Sequence, residues 1–167
     1  MSKTTENLSV AFAGESQANR KYLAFAKKAD KEGHPQVAKL FRAAAAAETV
    51  HAHNHLRTMG GIGGTIGNLK QAVEGEHYEF ESMYPGFIND AEQEGEDQAK
   101  WTFDVANKVE QIHHKLYSGA LKALENGEEA PATDYYVCQV CGNTVEGAAP
   151  DKCPICGATK ARFMKVD

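Results

Sequence analysis

A shift of 62 residues lays one stretch of this chain on another without a gap. Tyr22, Phe25, Ala29, Glu32, Gly33, Gln36, Phe41, Ala44, Glu48 and His51 fall on Tyr84, Phe87, Ala91, Glu94, Gly95, Gln98, Phe103, Ala106, Glu110 and His113. Two Ala- and Glu-rich helices agree by chance at Ala and Glu, but here Tyr, Phe and His agree as well. The stretches also carry apolar residues at helical spacing. A duplicated helix pair predicts an all-α four-helix bundle with pseudo-twofold symmetry.

Four long helical patterns fill the repeat. One runs from about Thr4 to Asp30 and closes near Gly33. The second starts at Pro35, a residue suited to a first helical turn, and ends at Met59 before "GGIGGTIG". The third starts near Asn68 and meets Pro85-Gly86, which is expected to break or kink it. The fourth runs from about Asp97 to Glu125, ahead of Gly127. "NGEEAPATD" then reads as a polar, turn-rich linker, and the short, Gly- and Pro-punctuated remainder holds every cysteine. The expected division is a helical domain over 1–127, a linker over 128–134 and a small metal-binding β/loop domain over 135–167.

Inside the Ala-rich second helix, "AAAAAETVHAHNHL" sets Glu48 and His51 three apart on one face, with Ala44 and Phe41 one and two turns back on the apolar stripe. The repeat copies the arrangement as "EQIH", Glu110 to His113, with Ala106 and Phe103 behind it. The first helix places Glu15 on the stripe of Leu8, Phe12 and Tyr22; the third places Glu76 on the stripe of Leu69 and Val73, with Glu79 one turn on. One glutamate at a stripe edge is ordinary. Five carboxylates turned inward from all four helices repel one another and are costly to desolvate unless cations sit among them. Two divalent ions would nearly neutralise the group. Glu-x-x-His suits such ions, because spacing of three puts both side chains on adjacent turns of one face. Carboxylates bridge metals, and imidazole favours iron, zinc, copper or nickel over magnesium or calcium. One Glu from each of two helices and a Glu-x-x-His from each of the others is the ligand pattern of di-iron carboxylate bundles. The remaining histidines read as structural or solvated: His34 flanks a helix, His53 and His114 lie off the stripe, His55 lies a turn beyond His51, and His77 points about 100° away from Glu76. Tyr22 and Tyr84, one repeat-related pair, are placed to donate hydrogen bonds to ligand carboxylates or to pack in the core.

Cys138, Cys141, Cys153 and Cys156 form two CxxC knuckles, each followed by glycine, Gly142 and Gly157. Clustered cysteines in a reducing compartment favour metal ligation over disulfides. Four thiolates make a tetrahedral site for one iron or zinc, and spacing alone favours zinc. The glycines of "GGIGGTIG" follow a helix and do not fit GxGxxG, so no nucleotide site is expected. Against 18 basic residues stand 23 acidic ones, a net charge of −5, which gives no basic footprint for nucleic acid. No apolar run reaches the about 18–20 residues of a membrane span, and "MSKTTENLSV" lacks the apolar segment of a signal peptide, so a cytoplasmic location is expected.

Together "FAGES" around Glu15, "ETVH", "EGEHYEF", "MYPGF", "EQIH" and the tail "CxxCG…CPICG" resemble a rubrerythrin over essentially the whole chain. The resemblance implies a ferritin-like di-iron bundle with a rubredoxin-like tail, whose inter-knuckle loop is shorter than in free-standing rubredoxins. Glu15, Glu48, His51, Glu76, Glu79, Glu110 and His113 match the family's di-iron ligands, with Glu48 and Glu110 as bridges. Reduction of one iron would exchange Glu79 for His51. The implied activity is reduction of hydrogen peroxide to water, with electrons from an NAD(P)H-dependent reductase or rubredoxin relayed through the tail iron. The resemblance also implies a homodimer or higher homo-oligomer, sometimes with exchanged helices, in which one subunit's tail iron lies near the other's di-iron centre. Two rival readings are a ferroxidase or iron-handling protein, and a non-enzymatic zinc ribbon on a helical scaffold. An electron-transfer tail argues against the first, since storage needs no reductant feed; colour separates the second, since ferric tetrathiolate absorbs in the visible and zinc does not.

Overall fold

The computed structural model describes residues 2–167. The chain divides into two compact units, residues 1–63 and 64–167.

The first unit is a helical hairpin of α1 (Lys3–Lys31) and α2 (Pro35–Thr58). The Ser2 hydroxyl caps α1 by accepting from the Thr5 N–H at 3.2 Å, and Lys28 and Lys31 sit in its last turn, where the carbonyl ends favour cations. Pro35 occupies the first turn of α2. The seam between the helices is built from small residues, with Ala26, Ala29, Ala38, Ala45 and Ala52 all buried. Alanine lets the backbones come close enough for the Asn19 side-chain amide to donate to the Ala45 carbonyl at 2.6 Å and to Thr49 Oγ1 at 2.8 Å.

The second unit holds the other helices and the cysteine module. α3 (Thr65–Tyr78) starts three residues earlier than its sequence pattern implies, with Gly64 as its N-cap. The helix does not break at Pro85. It widens instead into a π-helical segment at Glu79–Met83 and continues as α4 (Tyr84–Glu94), with Pro85 in the tolerant first turn. The Tyr84 N–H donates to the Glu79 carbonyl, five residues back. α5 (Asp97–Glu125) runs the full length expected of it and buries Val105 and Val109.

The duplication is visible in three dimensions. Tyr22, Phe25 and Phe41 form an aromatic triangle with ring centroids 6.4, 6.1 and 5.5 Å apart. Tyr84, Phe87 and Phe103 repeat it at 6.2, 6.3 and 5.5 Å.

The module is a three-stranded antiparallel sheet in the order β2 (Thr144–Glu146), β1 (Tyr135–Cys138), β3 (Phe163–Val166). A sheet this small cannot build a sufficient apolar core and calls for a staple such as a structural metal. No helix of the described residues is long and apolar enough to cross a membrane.

Candidate metal centres

The cysteine module brings its four thiols within 4.8 Å of one another. Each knuckle turns through a glycine at positive φ, Gly142 at 83° and Gly157 at 75°, a backbone region costly to side-chain-bearing residues. The Gly142 N–H donates to the Cys138 carbonyl at 2.9 Å and the Gly157 N–H to the Cys153 carbonyl at 2.9 Å, so the two knuckles are copies of one turn. The Sγ atoms of Cys138 and Cys156 lie 3.7 Å apart, as do those of Cys141 and Cys153. A disulfide needs about 2.05 Å. A tetrahedral metal with bonds of about 2.3 Å gives a sulfur–sulfur edge of about 3.8 Å, which these spacings match. Burial raises the Cys153 thiol but is outweighed by the backbone N–H groups of Cys156 and Ile155, which bring it down to about 7; burial pushes Cys141 and Cys156 up. Asn143, fully buried, points its amide at Cys153 Sγ, 3.6 Å away.

The carboxylates and histidines gather in two triads, one in each unit. Glu15 from α1 meets Glu48 and His51 from α2. Glu76 from α3 meets Glu110 and His113 from α5. The repeat is preserved to the atom: His51 Nδ1 lies 2.8 Å from Glu48 Oε2, and His113 Nδ1 lies 2.7 Å from Glu110 Oε2. The glutamates are largely covered, with side chains 17 % exposed at Glu48, 16 % at Glu110 and 19 % at Glu76, whereas His51 is 54 % exposed. Glu79 stands at the first position of the π segment, outside the second triad but near enough for its charge to act on His113.

The electrostatics of the second triad are those of anions short of a cation. Burial, then the Glu110 carboxylate, raises Glu76 from 4.5 to about 7. The same two causes raise Glu79. The hydrogen bond to Glu110 holds His113 protonated above its ordinary range despite burial. The Tyr84 hydroxyl is also raised, by burial and by Glu110, Glu79 and Glu76. Carboxylate oxygens plus one imidazole per triad form a donor set suited to iron, and a divalent ion relieves the repulsion that these shifts record.

Other side chains outside the triads have partners of their own. Tyr22 and Tyr84 spend their rings in the aromatic triangles, and neither hydroxyl hydrogen-bonds a carboxylate among the described residues. His114, expected to be solvated, packs 5.6 Å from His77, and both meet Phe80 edge-on at 5.4 and 5.3 Å. Asn19, Asn143 and Thr144 carried no motif. An Asn that follows a knuckle glycine is the one signal that could have marked Asn143. His113 Nε2 lies 2.9 Å from the Thr144 hydroxyl, a contact across 31 residues that no local pattern announces.

A helical protein with paired Glu-x-x-His triads and a tetrathiolate knuckle site is a non-haem iron protein of the ferritin-like, rubredoxin-tailed class. Residues 6–121 match the Rubrerythrin family model and residues 136–164 the model for the rubrerythrin rubredoxin-like domain. The chain is 33 % identical to Rubrerythrin-2 of Clostridium acetobutylicum, over 96 % of this chain and 95 % of that one. It is 37 % identical to Nigerythrin of Nitratidesulfovibrio vulgaris, over 96 % and 85 %. Among solved structures, the fully reduced, all-ferrous state of nigerythrin aligns with a TM-score of 0.58 at 34 % identity, covering 99 % of this chain and 88 % of that one. The chain belongs to the rubrerythrin family. Its cofactors are a di-iron centre and an iron in the four-cysteine site, and the family's members are generally oxidoreductases.

Proposed function

We propose that this protein is a non-haem di-iron peroxidase that reduces hydrogen peroxide to water in the cytoplasm and protects against oxidative stress. Glu15, Glu48, His51, Glu76, Glu79, Glu110 and His113 make up the di-iron ligand set, and Cys138, Cys141, Cys153 and Cys156 hold the tail iron. Peroxide needs two electrons and two protons to become two waters; when bound, the two ferrous ions supply one electron each. Electrons reach the tail from an NAD(P)H-dependent reductase or a rubredoxin, and the protein works as a homodimer or higher homo-oligomer.

The chain's own groups fit that role. Glu76, Glu79 and Glu110 crowd one another, and cations bound among them would relieve that repulsion. Tyr84, its proton retained by burial and by the surrounding carboxylates, stands ready to donate a hydrogen bond there.

One observation carries the reading: the tetrathiolate module and both Glu-x-x-His triads occupy the same chain. Iron storage has no use for a built-in electron donor, whereas repeated turnover of a two-electron oxidant does. The test is the reoxidation of fully reduced, iron-loaded protein by stoichiometric peroxide and by air-saturated buffer. Peroxide is expected to reoxidise the di-iron centre at least ten-fold faster (about 1.4 kcal/mol in barrier). Faster reoxidation by dioxygen would favour iron handling instead.

A further inference from the structure

Thr144 is the third residue beyond Cys141, on β2, yet its hydroxyl lies 2.9 Å from Nε2 of His113 on α5. The other ring nitrogen of His113, Nδ1, lies 2.7 Å from Glu110 Oε2 and 3.8 Å from Glu76 Oε2, inside the second triad. A threonine hydroxyl has one proton to give. Thr144 Oγ1 is also 3.2 Å from the Gly142 carbonyl oxygen, which can only accept. The proton therefore goes to Gly142, and a lone pair of the hydroxyl is left for His113. Nε2 then carries a hydrogen; Nδ1, which donates to Glu110 in the metal-free ring, is the nitrogen left to give up its proton to a cation and turn its lone pair toward the carboxylates.

The repeat supplies an internal control. His51 makes the same contact from Nδ1 to Glu48, 2.8 Å, but its side chain is 54 % exposed and Glu48 is its one hydrogen-bond partner among the described residues. Duplication made two equivalent imidazoles; the cysteine module has made them unequal.

We propose that Thr144 is a positioning residue: its hydroxyl fixes His113 in the Nε2–H tautomer and presents Nδ1 as a permanent metal ligand, while His51 stays free to turn. The cysteine module thus has a second role, completing the outer support of the carboxylate triad on α5. Gly142 faces the same helix: an added Cβ there would lie 3.9 Å from Val109 Cγ1, an ordinary contact distance. The proposal rests on the reading of this triad as a metal site.

The test uses the full-length, 15N-labelled protein loaded with zinc, a diamagnetic probe of both donor sets. In the wild type, His113 shows a protonated Nε2 whose hydrogen exchanges slowly with water, and a metal-shifted Nδ1. Thr144→Val, which keeps the shape and removes the hydroxyl, is expected to speed that exchange at least ten-fold and to weaken zinc binding at the triad about ten-fold in chelator competition. Thr144→Ser restores both. The visible tetrathiolate band of the iron-loaded variants reports that the module is folded. Unchanged exchange and affinity in Thr144→Val overturn the proposal, as does a Thr144→Ser variant that behaves like Thr144→Val. Failure of zinc to shift Nδ1 of wild-type His113 also overturns it, and marks the metal-site reading as the part that failed.

Discussion

Asn143 shows how much one buried side chain can decide. It is fully enclosed, its amide aims at Cys153 Sγ from 3.6 Å, and its Oδ1 has no partner among the described residues. A buried carbonyl oxygen left unpaired is unfavourable, so the residue is retained at a cost to stability. Its gain lies in the thiolate: an N–H pointed at sulfur stabilises the more negative, reduced state of a tetrathiolate iron. Asn143→Leu is therefore expected to lower the reduction potential of the tail iron, by on the order of tens of millivolts. Stability should change little, because both polar atoms are removed together. Redox titration of the visible tetrathiolate band checks this; a potential that stays put or rises would refute the assigned role.

At the scale of elements, the duplicated helix pairs make a quantitative demand. Phe41 and Phe103 are repeat equivalents, each closing an aromatic triangle with centroid spacings that agree within a few tenths of an ångström. Half-buried aromatics lose less on truncation than core ones, so Phe41→Ala and Phe103→Ala should each cost about 2 kcal/mol. Thermal melts of the two metal-free variants should shift alike; a large shift in one alone would show that the triangles are not equivalent in energy. Much of this element structure was legible in the sequence. Helix ends follow from Gly33, Pro35 and Gly127, and within each Glu-x-x-His pair the two side chains meet because spacing of three puts them on one face. The π segment at Glu79–Met83 was not legible. One wider turn leaves the 3.6-residue period intact on both sides of it, and the visible signal there is Pro85, which the helix accommodates in a first turn. The segment begins at Glu79 itself, and π-helical turns recur at functional sites for the freedom they give a side chain. Thr144 is not legible for another reason: its partner is set by how the module packs on α5, which no periodicity encodes.

At the scale of the whole molecule, metal and stability are coupled through pH. In the metal-free protein Glu76 is raised from 4.5 to about 7 and His113 is raised above 6.5. Both groups bind protons more tightly folded than unfolded. Their contribution to stability is complete below the unfolded values and is lost as pH rises through the folded ones. The melting temperature of metal-free protein should thus fall between about pH 5 and about pH 8. Iron requires deprotonated ligands, so the loaded protein should gain stability over the same window. A metal-free melting temperature that rises with pH would contradict the electrostatic picture of the second triad.

The central claim is that inward carboxylates on duplicated helices are tolerated because iron sits among them. Counting iron per chain tests it most directly, in the wild type and in Glu48→Ala, with the tetrathiolate absorbance as an internal reference. The account predicts about three irons in the wild type, falling to about one in the variant while the tetrathiolate band is unchanged. A wild type that holds a single iron under iron-replete conditions, or a Glu48→Ala variant that keeps all three, would contradict it.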